Sequence, residues 1–457
     1  MCEMERISLY GRKEAIVGWR RLLDQEKVPY KYKGDNLENF SDLNIIVDCD
    51  TSVVNLPSNR VFIIEPGFDE RVQPIEIFNY KKGDGRKSNK KETNLITKKD
   101  KTYLFHQNVS KLLAVPFFDF RDIPELSTDE SQIQLYTAAA DREKASRFLR
   151  QILIDGHHLL GVPYIHLWYY PSDQPSIFIF RQDVDYVDPE GVQALTRVTK
   201  DFGVRGTYFI NMSGEEEVED EIGHLKLDKS ITIERKELLL PLLSQGNEFA
   251  NHGYWHWVFD DYEQNVQNIQ RCNNDLLKEF NICSSGFASP GGAWNVELGR
   301  AMEACGITYS SNIILDNGGF PYYPYYSSGQ QSRVLEIPCN PISDAAFDPT
   351  PKNNELDLLK AYYLNYIEQQ IKTNEPIILL GHPHLSGRFA ESFYSPIFEK
   401  IKKLKISVMT YSDFANWWIN RSQAELKISN KGLETNNQNL FKETIYPSHR
   451  DITPVTK

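Results

Sequence analysis

The run Ser176-Ile177-Phe178-Ile179-Phe180 passes without a break into Arg181-Gln182-Asp183-Val184-Asp185. A short run that is apolar at every position fits a strand buried on both faces, and such strands belong to parallel sheets covered by helices. Its abrupt polar end marks where the strand leaves the sheet. Side chains two apart on a strand share a face, so Arg181, Asp183 and Asp185 are expected to point the same way from the carboxyl end. In parallel α/β folds that end is where active sites form. The competing reading is a solvated turn leading to a helix start at Asp188-Pro189-Glu190.

The chain around this strand has 457 residues, more than one domain of ordinary size would use. Residues 1–130 read as a smaller α/β domain, with a helical pattern over Glu14–Glu26 and apolar runs at Leu43–Val47, Arg60–Ile64 and Thr102–Phe105. This part is similar to a flavodoxin-type or amidotransferase-like sheet. It carries no nucleophile-elbow or phosphate-loop motif, so no chemistry is assigned to it. The Lys-rich stretch Lys81–Lys101 reads as a solvated excursion, with an anion site as the alternative. Residues 131–175 read as a helical connector, helical near Ala138–Leu160 and broken by Tyr170–Pro175. Residues 176–420 alternate strands and helices again, at a length common for parallel barrels. Residues 421–457 are rich in Asn, Lys, Ser and Thr and read as a polar, mobile tail.

The net charge of −12 argues against nucleic acid or an acidic membrane surface as partner. No run of ~18 apolar residues is present, so no membrane span is expected. The opening residues lack an uninterrupted apolar stretch, so no secretory signal is expected either. Six scattered cysteines without a Cys-x-x-Cys pair read as free thiols in a reducing compartment, which points to the cytoplasm.

Three further elements carry chemistry. In Asn251-His252-Gly253-Tyr254-Trp255-His256 two imidazoles stand four apart, on one helix face or close together in a turn. With one carboxylate they would make a catalytic metal site with a position left for water. In Gly286-Phe287-Ala288-Ser289-Pro290-Gly291-Gly292-Ala293-Trp294 the glycines let backbone approach a substrate, and the N–H of Gly291 or Gly292 could form an oxyanion hole. In Pro376-Ile377-Ile378-Leu379-Leu380-Gly381-His382-Pro383-His384 an apolar strand ends in two histidines, a setting that suits a general acid.

Taken in order, the four elements resemble the motif series of the polysaccharide deacetylases, the NodB-homology group of carbohydrate esterase family four. The resemblance spans Ser176 to Trp418. Asp-Val-Asp resembles the intracellular and allantoinase-like branch. It implies a distorted (β/α) barrel and a hydrolase that removes the acetyl group from an N-acetylated sugar or glycan. The implied metal is zinc, held by Asp185, His252 and His256. Asp183 becomes the catalytic base and His382 the general acid. Leu379 and Leu380 would line the acetyl pocket, with Gly291, Gly292, Trp294 and His384 near the substrate. The implied reaction is attack of metal-activated water on the acetamide, with Asp183 taking the water's proton and His382 protonating the departing amine. Two features depart from the family. Ala288 stands where many members carry an Arg that braces the base, and two histidines compete for the role of acid.

Other residues have plainer readings. His157, His158 and His166 read as core or interface. His106, His224 and His449 have no partners in view. The acidic run Glu215–Glu221 reads as a solvated loop. The aromatic segment Phe320–Tyr326 could stack on sugar rings or pack between domains, and Asp316 could stand near the site as the family's fourth motif does. Two alternatives remain open at this stage: hydrolysis of another C–N bond, as in allantoinases, and a non-catalytic glycan-binding module.

Overall fold

We describe the protein from a computed structural model, covering residues 6–52, 54–67, 95–113, 118–122, 134–138, 142–172, 174–185, 187–212, 233–312, 318–326, 330–340, 342–346, 353–424, 426–429, 432–435 and 443–446. The acidic run Glu215–Glu221, Asp316, His224 and His449 lie outside these residues, as does most of the Lys81–Lys101 stretch.

The first sheet is built from β1 (Ile7–Tyr10), β2 (Tyr30–Gly34), β3 (Leu43–Val47), β4 (Val61–Glu65), β5 (Ile96–Lys99) and β6 (Thr102–Phe105), in the spatial order β2-β1-β3-β4-β6-β5. All neighbours are parallel except β5 with β6. The central strands β1 and β3 are buried at every residue and apolar at all but Ser8 and Asn44, whereas β2 alternates Tyr and Lys at the edge. Helix α1 (Val17–Glu26) covers one face with Trp19, Leu22 and Leu23. Helix α2 (Arg142–Leu159), expected as a connector, buries Ala145, Leu149, Ile152 and Leu153 in the same core. The strands β7 (Phe118–Asp122) and β8 (Gln134–Ala138) pair antiparallel.

After β9 (Tyr164–Leu167) the second sheet begins with β10 (Ile177–Val184). It continues through β11 (Gly206–Ile210), β12 (Glu248–Asn251), β13 (Gly286–Ala288), β14 (Tyr309–Ser311), β15 (Leu335–Glu336), β16 (Ile377–Gly381) and β17 (Ser407–Met409). The order is β15-β14-β13-β12-β11-β10-β16, with β17 on the first half of β10, and every pairing is parallel. The result is a curled half-barrel. Period-two alternation sorts β10 into two cores: Ile177 and Ile179 point inward with Phe209, Ala250, Ala288 and Leu380. Phe178 and Phe180 point outward to the helix layer, where Tyr394 and Phe398 meet them. One of these covering helices is α3 (Pro189–Phe202), which opens at Asp188 with a side-chain cap on the Gly191 N–H.

The two sheets meet under the half-barrel. Glu26, at the end of α1, is fully buried and accepts hydrogen bonds from Arg150 Nε (2.7 Å), Tyr164 OH (3.0 Å) and Tyr169 OH (2.8 Å). Arg421, also fully buried, donates to the carbonyls of Gln25, Leu167 and Trp168. The aromatic segment belongs here. Phe320 stacks on Tyr169 (centroids 4.0 Å apart) and Trp418, and Gln25 donates to the Phe320 and Pro321 carbonyls. Of the two readings for this segment, packing between the sheets is the one realised. His166 sits in the same interface, 3.7 Å from Glu26. The stretch read as a mobile tail contains β18 (Leu426–Ser429), paired with β19 (Gly432–Thr435), and β20 (Glu443–Tyr446), paired antiparallel with β9. Among the described residues no helix is long and apolar enough to cross a membrane.

Candidate metal centre

The inward parity of β10 carries past its apolar half: Arg181 and Asp183 follow Ile177 and Ile179 into the barrel, and Asp185 comes just after the strand end. Parallel registers bring the other elements level with it. Asp183 lies opposite Phe209, Asn251 ends β12 opposite Ile210, and Gln182 lies opposite Gly381. His252 and His382 therefore leave their strands at the same end as Asp185.

The two histidines of the second element lie on a turn, not a helix. Gly253 takes a left-handed φ of 81°, and a Cβ there would lie 2.7 Å from the Trp255 carbonyl oxygen, so the turn requires glycine. Asn268 Oδ1 accepts the N–H groups of Tyr254 and Trp255, and Asn251 Oδ1 accepts that of Gly253. These buried amides hold the turn so that both imidazoles reach Asp185. Its Oδ1 is 3.2 Å from His252 Nε2 and 3.1 Å from His256 Nε2. One donor atom from each of the three residues lies within 4.8 Å of the others, and no other such cluster occurs among the described residues.

The chemistry of these donors fits a cation. His252 Nδ1 is 2.8 Å from the Ala288 carbonyl oxygen, which can only accept, so Nδ1 carries the hydrogen. In the neutral imidazole Nε2 then presents a bare lone pair to Asp185 Oδ1. Two lone pairs facing each other repel unless a positive charge lies between them, and neutral imidazole oriented by a carbonyl is the common arrangement of a metal ligand. Asp185, His252 and His256 thus form a candidate divalent-metal site.

Asp183 is held differently. Arg181 Nε and Nη2 each donate to one of its oxygens at 2.7 Å. Burial alone would raise the Asp183 carboxyl, but the charge and the hydrogen bonds of Arg181 outweigh it and hold the group below its ordinary value. Asp183 Oδ2 lies 3.9 Å from His252 Nε2.

His382 is anchored by a residue the sequence did not point to. Asp344 Oδ1 is 2.6 Å from His382 Nδ1, and Asp344 Oδ2 accepts from the His382 N–H, the Ser386 N–H and the Ser386 hydroxyl. This leaves His382 Nε2 directed at the centre, 3.9 Å from Asp185 Oδ2. Burial would depress the imidazole, yet Asp344 and Asp185 lift it to about 9. His384 is near, with ring centroids 5.5 Å apart, but burial and the charge of His382 lower its pKa. No motif surrounds Asp344 in the sequence, so only its arrival beside His382 identifies it.

One expected contact is corrected. Leu380 faces inward, but Leu379 points to the helix layer with Phe178 and Tyr394, because neighbours on a strand face opposite ways. The Gly292 N–H donates to the Ser289 carbonyl at 3.0 Å, closing the turn it sits in. Trp294 is buried, stacked on Tyr326 and packed with Leu298. Gly291 adopts the left-handed region (φ 61°), and a side chain there would meet open space.

A family model described as polysaccharide deacetylase matches residues 174–310. No curated protein matches the chain. Among solved structures, the chain is similar to the PuuE allantoinase, at 15% identity over 55% of this chain and 93% of that one, with a TM-score of 0.42. A carbohydrate esterase family four pseudoenzyme from Bacillus anthracis gives 14% identity, 54% and 68% coverage and a TM-score of 0.36. A family four acetyl xylan esterase from Clostridium thermocellum gives 12%, 53%, 91% and 0.36. By its match to the family model, the segment 174–310 belongs to the polysaccharide deacetylase superfamily.

Proposed function

We propose that this chain is a metal-dependent amide hydrolase that removes the acetyl group from an N-acetylated sugar, with zinc as the metal and with the Asp-Val-Asp segment supplying both base and ligand. The observation that carries the reading is the lone pair of His252 Nε2 facing Asp185 Oδ1 at 3.2 Å, beside a second carboxylate held ionised by Arg181. A divalent ion held by Asp185, His252 and His256 supplies Lewis acidity that makes water a nucleophile near neutral pH. The chain's own groups do the rest. Asp183 accepts the proton of the attacking water. The Gly291 N–H lies in the turn that would face the developing oxyanion. Leu380 offers an apolar wall for the acetyl methyl. His382, fixed by Asp344, delivers a proton from Nε2 to the departing nitrogen, while His384 lines the mouth.

The test is acetate release from a panel of N-acetylated sugars and nucleotide sugars, with and without added zinc. Metal-dependent acetate release supports the reading. Hydrolysis of a ureide or cyclic imide without acetate release would replace it with the allantoinase-like alternative. No turnover of any substrate by the metal-loaded protein would leave a binding module.

A further inference from the structure

We propose that Arg181 is the positioning residue of the catalytic base, acting as a strut across the barrel interior; this rests on the reading of Asp183 as base. Arg181 is fully buried, and among the described residues the carboxylate it hydrogen-bonds is Asp183, two residues away on the same strand. The two parallel bonds fix the plane of the carboxylate, a geometry that a planar guanidinium provides and an ammonium does not. The other side of the guanidinium is held as firmly. Nη1 donates to Ser311 Oγ at 2.9 Å and to the Ser311 carbonyl at 3.3 Å, and touches Cys339 Sγ at 3.3 Å. Ser311 Oγ is in turn 3.0 Å from Tyr411 OH, and the Phe209 ring lies 5.1 Å from the guanidinium carbon. Ser311 ends β14, four strands from β10, so this contact exists only because the sheet curls.

Stability does not account for the arrangement. A buried ion pair is commonly no better than well-packed apolar residues of the same volume. The strut fixes Asp183 toward His252 and keeps it from turning to Asp185's ligand position. Its own contacts involve none of the proposed metal ligands, so its loss should misplace the base and leave the metal site whole.

The test uses the full chain. Arg181→Lys should lose about 10²-fold in kcat, the scale expected for misplacing a reacting group by about an ångström, with KM nearly unchanged. Its metal content should equal that of the wild type. In a metal-free crystal structure of this variant the Asp183 carboxylate should turn from its wild-type orientation. Ser311→Ala removes one strut contact without touching Asp183 and should give a smaller loss of kcat, which covers the case in which Arg181→Lys does not fold. Wild-type kcat in either variant, or an unmoved Asp183 in metal-free Arg181→Lys, would overturn the proposal. If the wild type releases acetate from no N-acetylated sugar, the proposed reaction fails, and the orientation of Asp183 in the metal-free variant still decides the role of Arg181.

Discussion

Two carboxylates largely withdrawn from water, Glu26 under the barrel and Asp185 at its open end, face the same physical problem and solve it differently. Removing a carboxylate from water is costly unless charge and hydrogen bonds replace the water. Glu26 receives a guanidinium and two phenols from the chain itself, and although burial would raise its carboxyl, Arg150 and His166 hold it below the usual range. Asp185 instead faces three imidazoles, those of His252 (3.2 Å), His256 (3.1 Å) and His382 (3.9 Å). Those imidazoles are anchored through their other nitrogens to Ala288 and Asp344 in two of the three cases. A carboxylate whose countercharge is covalently part of the chain is architecture. A carboxylate that faces an imidazole lone pair, as Asp185 faces His252 Nε2, is arranged to take a cation from outside.

The difference can be broken at either end. The largest effect is expected from His252→Ala, which removes an imidazole that the Ala288 carbonyl has oriented. The purified wild type should carry a stoichiometric divalent ion and the variant should not, with turnover lost alongside. Equal metal by elemental analysis in both would show that Asp185 is not a ligand centre. Next comes Asp183→Asn, which keeps the shape but cannot take a proton. We expect the metal to stay and turnover to fall by ~10²–10⁴-fold, the usual range for loss of a general base.

A sharper comparison lies within the pair of histidines. His382→Ala should cost ~10²-fold or more as a lost general acid, and His384→Ala much less, because Asp344 anchors His382 through Nδ1. Larger loss in His384→Ala would reverse the two roles. The pH profile adds a sign. Asp344 raises the His382 pKa, so Asp344→Asn should lower it, and the protonated acid should be lost at a lower pH than in the wild type. The basic limb of kcat should therefore move toward acid, and a limb that stays put would separate Asp344 from the acid's titration.

The smallest effect on turnover is expected at the other carboxylate. Glu26→Gln leaves Arg150 buried beside a neutral amide, and breaking one side of a buried pair costs ~3–5 kcal/mol of stability. Its Tm should fall clearly while kcat per folded molecule and metal content hold. A loss of metal in Glu26→Gln would mean that the interface and the site are one unit.

The candidate ligand set was legible in the sequence because strand chemistry is local. An apolar run with a polar end names a strand and its carboxyl terminus, and period two puts Arg181, Asp183 and Asp185 on one side. The same rule separates Leu380 from Leu379, and reading both as lining one pocket ignored it. The spacing of His252 and His256 indicated a pair but not its form. Gly253 decides for a turn, through a backbone conformation that a side chain would obstruct.

Local patterning therefore reveals the strand that carries the carboxylates, the histidines at neighbouring strand ends and an α/β sheet on either side of the connector. The tertiary structure alone decided which distant residues complete them. Asp344 reaches His382 from 38 residues away, and Arg181 reaches Ser311 from 130. Neither separation has a periodicity that betrays contact, since both depend on how far a parallel sheet curls. The aromatic segment Phe320–Tyr326 went beneath the barrel for the same reason: an exposed-looking cluster of rings is decided by which surface is nearest, and here that surface is Tyr169 and Trp418 beside α1.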